Sequence, residues 1–224
     1  PGSNRAWRIL HLLAHEHFHH WNGGVLSLQE PEELGYWFSE GFTDFYTRRL
    51  LYRAGLIDLE RYVRDLNEHL VSYHVSPVRT EPNTRIQADF WNSGEVHDLP
   101  YLRGEIVALL VEREIRLASG GARSTDGLMR DLARRAAEED YAPDTASLLA
   151  AIQAETSEAF VEGTLRPLIE TGEDTPLPAD LLAPCLELYR AEIGAYDLGF
   201  DLGASRKAGL AVGVAEGGPA WAAG

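Results

Sequence analysis

The stretch that decides the fold lies near the start of the chain and reads WRILHLLAHEHFHHWNGG (residues 7–24). Its apolar residues recur at helical spacing, and Asn22 followed by two glycines is a typical helix end. We therefore predict a helix from Asn4 to Trp21. On a helix that advances about 100° per residue, His15 and His19 lie about 40° apart on one face. Two imidazoles placed in this way can bind one metal ion.

The string HEHFH (residues 15–19) also places a carboxylate beside the two imidazoles. Imidazole nitrogens suit Zn²⁺, and Glu16 projects from the shoulder of the same face, where it can take a proton from an attacking water. The alternative is a histidine-rich helix whose rings cap apolar neighbours or bind metal adventitiously. A third ligand at a suitable distance separates the two interpretations.

The next predicted helix, from about Leu34 to Ala54, offers that ligand. Glu40 stands in the aromatic string WFSEGFTDFY (residues 37–46). A carboxylate surrounded by this much apolar surface is costly to bury without a partner, and zinc is such a partner. Asp44 follows one turn later on the same face. We predict that Asp44 holds the far nitrogen of a ligating histidine; an ordinary exposed aspartate is the alternative.

A catalytic site of this kind also needs a hydrogen-bond donor for the oxyanion. Three protein ligands leave a fourth position free, as in catalytic zinc sites. Tyr101, in HDLPYLRGEIVALL (residues 97–110), falls where a predicted long loop over residues 74–98 passes into a helix. Tyr101 is the first candidate for the donor, and His97 is the second. Either ring could instead serve only to pack the core.

The rest of the chain is predicted to be mostly helical. Apolar periodicity predicts helices at about 59–71, 100–118, 126–139, 145–156, 158–170 and 179–190. Thr125 and Asp144 are the expected N-terminal caps of two of them. Beyond Ala195 glycines become frequent, and LAVGV (residues 210–214) predicts a β-strand.

Composition limits the classes of partner. The chain has 224 residues, 45% of them hydrophobic, with 20 basic and 35 acidic residues and a formal net charge of −15. This charge disfavours nucleic acid and anionic membrane surfaces, and no apolar run is long enough for membrane insertion. Cys185 is the single cysteine, which excludes an internal disulfide. The compartment stays open between the bacterial cytoplasm and, if a leader precedes these residues, the periplasm or the exterior. The oligomeric state also stays open.

Three strings, in this order and spacing, resemble the catalytic domain of the glycyl aminopeptidase family, zinc peptidases of the thermolysin-like clan. The strings are HEHFHHWN (residues 15–22), WFSEGFTDFYTRRLLYRAGLI (residues 37–57) and PYLRGEIVALLVEREIR (residues 100–116). The resemblance is strong over roughly residues 7–118. It implies that one Zn²⁺ is bound by His15, His19 and Glu40. It further implies that Glu16 is the catalytic base and that Tyr101 stabilises the tetrahedral intermediate, with Arg103 in place of a frequent lysine.

The same resemblance implies two domains. Residues 1–194 would form the helical catalytic domain, without the β-rich part that precedes it in the family. Residues 195–224 would begin a PDZ-like domain, because AGLAVGVAEGGPAWAAG (residues 208–224) is similar to the opening of that domain. The expected fold is therefore mainly α, the helical part of a thermolysin-like peptidase followed by the first β-strands of a PDZ-like module.

The expected function is zinc-dependent peptide hydrolysis, and release of small N-terminal residues such as glycine or alanine is implied by the resemblance. The alternative is a catalytically inactive peptide-binding or scaffold protein with the same fold. Glu16 argues against it, because holding zinc requires no base. An aminopeptidase also needs an anion for the substrate ammonium, and the sequence leaves this open among Glu81, Asp89, Glu95 and Asp98.

Overall fold

The computed structural model describes residues 4–139, 141–192, 194 and 198–224. Residues 1–3 of the predicted catalytic domain, and residue 195 at its predicted boundary, fall outside these ranges. The helices are α1 (Asn4–Phe18), α2 (Tyr36–Arg53), α3 (Leu59–Val75), α4 (Asn83–Asp89), α5 (Gly94–Ala118), α6 (Thr125–Glu139), α7 (Thr145–Glu155), α8 (Glu158–Phe160), α9 (Leu202–Ala208) and α10 (Pro219–Ala223). Two π-helical segments, Val161–Leu165 and Pro167–Thr171, continue α8. The prediction of a mainly α fold is confirmed.

Helices α2 and α5 cross at the centre of the core. A Cβ atom added to Gly41 would lie 2.2 Å from backbone atoms of Gly104, and one added to Gly104 would lie 2.1 Å from the carbonyl oxygen of Trp37. These distances are far below van der Waals contact, so only glycine permits the two backbones to approach so closely. Trp37 and Ile106 are fully buried on either side of the crossing. The crossing fixes α2 and α5 relative to each other.

Helix α1 packs on α2, and α3 packs on α5. Helix α1 ends at Phe18, earlier than predicted, and a π-helical segment, His20–Val25, follows it. Helical geometry breaks inside this segment at Asn22 and at Gly23, whose φ of 138° suits glycine. The side chain of Asn22 is buried and donates hydrogen bonds to backbone carbonyls of α2, so the break is held by tertiary contacts.

The segment predicted as a long loop over residues 74–98 is partly helical instead. It contains α4, and α5 begins at Gly94, where the hydroxyl of Ser93 accepts a hydrogen bond from the backbone N–H of Val96. Helix α5 also continues through Pro100. Because Leu99 and Arg103 on either side of it are fully buried, tertiary packing outweighs the poor helix propensity of proline here. Tyr101 therefore lies well inside α5, and its predicted place at a helix start is wrong.

Two other local predictions have opposite outcomes. Asp144 caps α7 as predicted, since its side chain accepts a hydrogen bond from the backbone N–H of Ser147 at 2.8 Å. Thr125 is not a cap: its backbone N–H and its hydroxyl both donate to Oε2 of Glu112, at 2.9 and 2.7 Å. The partly buried carboxylate of Glu112 thus takes both donors, which a sequence pattern cannot show.

The helix predicted at 179–190 is wrong, because residues 179–185 form turns and residues 186–192 have no regular structure. Pro184 lies in the middle of this segment. A proline lacks the backbone N–H that a helix requires and disfavours helical geometry at the residue before it.

The predicted strand at 210–214 is also wrong. Within residues 198–224 the structure contains α9, α10 and a single antiparallel bridge between Asp201 and Val212, and it describes no β-strand there. Gly209 and Gly213 have φ values of 69° and 67°, which interrupt an extended conformation on both sides of the bridge. The assignment of residues 195–224 to a PDZ-like domain stays a prediction.

No helix in the described parts of the chain is both long enough and apolar enough to span a membrane.

Candidate metal centre

Three side chains converge on one point: His15 in α1, His19 just after the end of α1, and Glu40 in α2. Nε2 of His15 lies 2.9 Å from Nε2 of His19, and each of these nitrogens lies 3.2 Å from Oε2 of Glu40. His15 is buried, and the side chains of His19 and Glu40 are 24% and 15% exposed. The structure therefore brings together the three residues that the sequence suggested as metal ligands.

Each imidazole is oriented by an acceptor at its other nitrogen. Nδ1 of His15 donates to Oδ1 of Asp44 at 2.7 Å, and Nδ1 of His19 donates to the backbone carbonyl of Asn22 at 2.8 Å. These bonds place the protons of the neutral rings on Nδ1 and leave the Nε2 lone pairs directed at Glu40. Carbonyl and carboxylate partners of this kind orient metal-ligating histidines in general. Asp44 thus occupies the place predicted for it.

Two groups of this cluster, the imidazole of His15 and the carboxyl group of Glu40, have strongly shifted pKa values. Burial opposes a charge on His15, but hydrogen bonds with Asp44 and Glu40 outweigh it and raise the pKa of His15 to about 9. Burial also opposes a charge on Glu40, yet the hydrogen bonds from both imidazoles lower the pKa of Glu40 to about 2. Without a cation, protons must hold these atoms together. A metal ion would replace the protons and release them.

The donor set fits Zn²⁺. Two nitrogens and one carboxylate oxygen, all within 4.8 Å of one another, are the ligands that Zn²⁺ takes in catalytic sites with an additional free position. Two neutral Nε2 atoms at 2.9 Å repel each other unless a proton or a cation lies between them. The geometry and the chemistry of these residues therefore fit a zinc ion.

A cleft of about 550 Å³ opens beside this cluster, and its lining includes His15, Glu16 and Tyr101. Glu16 is exposed to solvent in this cleft, one residue after a metal-ligand candidate. The cleft is large enough for a short peptide segment. Glu16 is therefore accessible to a molecule bound in the cleft, as a general base must be.

Tyr101 reaches the cluster from α5 through a column of stacked rings. Its ring centroid lies 5.9 Å from that of His15 and 5.6 Å from that of His97, with interplanar angles of 29° and 21°. The ring of His97 in turn stacks on Phe90 at 4.5 Å. Burial and the nearby charge of Glu40 raise the pKa of Tyr101, so its phenol keeps its proton and can donate a hydrogen bond. His97 is placed as a support for Tyr101.

Arg103 does not face the cleft. Its guanidinium is fully buried and donates to the backbone carbonyls of Arg79 at 2.8 Å, Glu81 at 2.5 Å and Ile169 at 3.3 Å. Arg103 therefore joins the segment before α4 to the helical segment that follows α8. The string around Tyr101 thus contributes one residue to the site and one to the core.

Only one of the four acidic candidates for the substrate ammonium lines the described cleft. Asp98 does so, close to His97, while Asp89 pairs with Arg85 at 2.8 Å. The side chain of Glu95 accepts a hydrogen bond from Ser93 at the start of α5. The exposed carboxylate of Glu68, which the sequence did not single out, also lines the cleft.

A second polar cluster adjoins the cleft, whose lining includes Arg48, Asp65 and His69. Arg48 is 3% exposed; its Nε donates to Oδ2 of Asp65 at 2.7 Å, and its Nη1 contacts Oε1 of Glu105. Asp65 also accepts a hydrogen bond from Nε1 of Trp7 at 3.0 Å, which joins α1 to the cluster. The sequence does contain a signal for this network. Glu105 stands inside the apolar run LRGEIVALL (residues 102–110), and a carboxyl group buried in such a run needs polar partners.

His69 connects this cluster to α5. Its Nδ1 lies 3.0 Å from Oε2 of Glu105, and its Nε2 donates to the backbone carbonyl of Leu102 at 3.0 Å. Burial lowers the pKa of His69 to about 4, so the ring is neutral near pH 7. Polar atoms of His69, Glu105 and Asp44 lie within 4.8 Å of one another. The second cluster therefore adjoins the carboxylate that holds His15.

Comparison with protein families gives one match. A family described as M61 glycyl aminopeptidase matches residues 8–94, which is less than half of the chain. The matched range contains both histidines and both carboxylates of α2 described above, and it supports a peptidase. It ends before Tyr101, so the role of Tyr101 rests on the structure and the sequence resemblance alone. A search of curated proteins gave no match.

Proposed function

We propose that this protein is a zinc-dependent peptidase in which His15, His19 and Glu40 hold one Zn²⁺ and Glu16 is the general base. The observation that carries the proposal is the convergence of two imidazole nitrogens and one carboxylate oxygen within 3.2 Å, beside a cleft that Glu16 lines. The family match over residues 8–94 supports the same class of enzyme.

The side chains divide the chemistry among them. When bound, Zn²⁺ supplies a Lewis acid that polarises the scissile carbonyl and acidifies water. Glu16 accepts a proton from the attacking water and delivers it to the departing amine. The protonated phenol of Tyr101, whose pKa is raised above its ordinary value, donates a hydrogen bond to the carbonyl oxygen as negative charge develops there. Asp44 and the Asn22 carbonyl keep the two imidazoles in the orientation that ligation requires.

The proposed substrate is a peptide with a free amino terminus and a small first residue. Glycine or alanine at this position follows from the family resemblance. Asp98 and Glu68 line the cleft and supply negative charge that can receive the α-ammonium. The formal net charge of −15 favours such a cationic terminus over an anionic ligand.

The general base is tested with Glu16→Gln in the zinc-loaded protein. Glutamine keeps the shape of the side chain but cannot accept the proton, so peptidase activity on glycyl and alanyl substrates is expected to fall about 100-fold or more. Zinc content is expected to stay near one per chain. Glu60→Gln, an exposed carboxylate on α3 that pairs with Arg64, is the matched control and keeps full activity. Survival of activity in Glu16→Gln would show that the mechanism is wrong.

The metal site is tested separately with Glu40→Ala. Removal of one ligand is expected to reduce bound zinc well below one per chain after dialysis against a weak chelator. A histidine-rich helix that binds metal adventitiously predicts that zinc content is unchanged. The two variants therefore distinguish a wrong base from a wrong metal site.

A further inference from the structure

The contact between His69 and Glu105 requires one hydrogen, whose position the surrounding bonds define. A backbone carbonyl can only accept, so Nε2 of His69 carries the proton that is donated to Leu102. If the ring is neutral, Nδ1 carries no proton, and it lies 3.0 Å from Oε2 of Glu105, a buried oxygen that has no hydrogen-bond partner among the described residues. Two lone pairs at this distance repel each other. A proton on Glu105 turns the contact into a hydrogen bond from the carboxylic acid to the imidazole.

The other contacts of Glu105 agree with a neutral carboxylic acid. Oε1, the oxygen opposite the one near His69, contacts Nη1 of Arg48 and can accept from it as a carbonyl. Arg48 already has an ionised partner, because its Nε donates to Asp65 at 2.7 Å. With His69 and Glu105 both neutral, the buried cluster contains one ion pair. An imidazolium facing a carboxylate would bury a second pair of charges, which costs more free energy in a site with little solvent.

A second metal ion is the competing explanation of this cluster. Asp44, His69 and Glu105 offer ligand atoms within 4.8 Å of one another. The guanidinium of Arg48, however, already contacts Glu105, so a divalent cation there would be repelled by a buried positive charge. A single proton satisfies His69 and Glu105 without adding charge.

The contacts of His69 and Glu105 reach two parts of the proposed catalytic site. The hydrogen bond from His69 ends on Leu102, the residue after Tyr101, and Glu105 lies one turn further along α5. On the other side the cluster adjoins Asp44, which orients His15. Displacement of the pair would therefore change the position of the phenol and of a ligand-holding carboxylate together.

We propose that Glu105 is a neutral carboxylic acid that donates its proton to His69, and that the two are positioning residues for Tyr101 and Asp44. The positioning role rests on the proposed peptidase function, whereas the location of the proton does not. Neither residue contacts the substrate in this proposal. Both act through α5 and through the carboxylate of Asp44.

The location of the proton is tested by ¹⁵N NMR of the histidine side chains in the zinc-loaded wild-type chain at pH 7, with His69 assigned by loss of its signals in His69→Gln. The expected spectrum shows a neutral ring with a proton on Nε2 only. Signals of an imidazolium, protonated on both nitrogens, would overturn the proposal. Zinc content gives a second criterion: two ions per wild-type chain and one per Glu105→Gln chain would assign the cluster to a metal.

The positioning role is tested by comparing Glu105→Gln with Glu105→Ala. A glutamine amide donates to Nδ1 of His69 and its carbonyl accepts from Arg48, so Glu105→Gln is expected to keep kcat within about threefold of wild type. Glu105→Ala is expected to lower kcat about 10- to 100-fold with KM nearly unchanged and zinc content near one, the range seen for residues that orient metal ligands. If both variants lose kcat equally, the neutral acid is wrong.

Two measurements keep this test separate from the peptidase proposal. If wild type hydrolyses no peptide, the peptidase proposal fails, but the NMR spectrum still decides where the proton lies. If Glu105→Ala does not fold, His69→Gln, which also breaks the Glu105 contact while leaving Arg48 paired with Asp65, takes its place and is expected to show the same loss of kcat. Unchanged kcat in His69→Gln would overturn the positioning role.

Discussion

Oδ1 of Asp44 accepts a hydrogen bond from Nδ1 of His15 at 2.7 Å, and this bond leaves Nε2 as the nitrogen of that ring that can bind a metal. The carboxylate is nearly buried, with 13% of its side chain exposed. The charge of Asp44 therefore acts on the imidazole with little screening by solvent. Orientation and basicity of His15 both depend on this contact.

Asp44→Ala is accordingly expected to weaken zinc binding about 10- to 100-fold. Asp44→Asn is expected to lose less, because an amide oxygen still accepts from Nδ1. Competition with a chromophoric chelator measures both dissociation constants. Asp180→Ala, which removes an exposed carboxylate paired with Arg113, is the control and leaves the affinity unchanged. Equal affinities of wild type and Asp44→Ala would show that His15 needs no partner at Nδ1.

Tyr101→Phe tests the proposed donor to the oxyanion. Loss of one such donor costs about 10²–10³ in kcat in known enzymes, and we expect a decrease in this range. KM and zinc content are expected to stay close to wild type, because the ring that stacks on His15 is retained. Tyr62→Phe, a tyrosine packed on Tyr52, is the matched control. A kcat that equals the wild-type value in Tyr101→Phe would assign the ring to packing alone.

Gly104→Ala is expected to destabilise the fold by about 3 kcal/mol or more, at the upper end of overpacking effects. The new methyl group would meet the carbonyl oxygen of Trp37 at 2.1 Å, and backbone atoms cannot move as a flexible side chain can. Urea unfolding followed by circular dichroism gives the change in the free energy of unfolding. Gly94→Ala, where an added Cβ meets nothing within 4 Å, is the control and changes stability little.

The pKa of His69 predicts how stability depends on pH. Burial lowers this pKa from 6.5 to about 4, so between these values the unfolded chain binds a proton that the folded chain does not. The free energy of unfolding therefore falls through this residue as the pH decreases from about 6.5 to 4, by about 3 kcal/mol, and is unaffected above that window. His69→Gln lacks this contribution. The proton proposed on folded Glu105 has the opposite pH dependence, so the comparison is made in the Glu105→Gln background. Urea unfolding between pH 7 and 4.5 should show the stability difference between Glu105→Gln and the double variant Glu105→Gln/His69→Gln shrinking toward acid, and a constant difference would contradict the lowered pKa of His69.

The metal-ligand candidates could be predicted because they depend on local periodicity. His15 and His19 share a helix face through spacing alone, and Glu40 and Asp44 do so on the next helix. Aromatic neighbours around Glu40 predict burial, and burial of a carboxylate predicts partners. The structure places His15, His19 and Glu40 within hydrogen-bond distance of one another and Asp44 within hydrogen-bond distance of His15. The same local reasoning correctly predicted Asp144 as a cap.

Contacts between distant segments could not be predicted in this way. Asn22 reads as a helix stop, yet it is buried and bonded to α2, and its carbonyl orients His19. His69 and Glu105 stand far apart in the sequence and meet only because α3 packs on α5. The start of α5 was missed because the polar residues of 74–98 show no helical period, whereas α5 begins at Gly94, with Val96 and Leu99 buried in its first turns.

The crossing of Gly41 and Gly104 has a consequence for engineering. Gly41 directly follows Glu40, and Gly104 lies three positions after Tyr101, so main-chain contact sets the spacing between a candidate metal ligand and the donor proposed for catalysis. Residues on the exposed rim of the cleft, such as Glu68 and Asp98, belong to neither backbone contact. Under the proposed function, a library that randomises the rim while holding both glycines constant should alter substrate preference and leave the cluster of His15, His19 and Glu40 undisturbed.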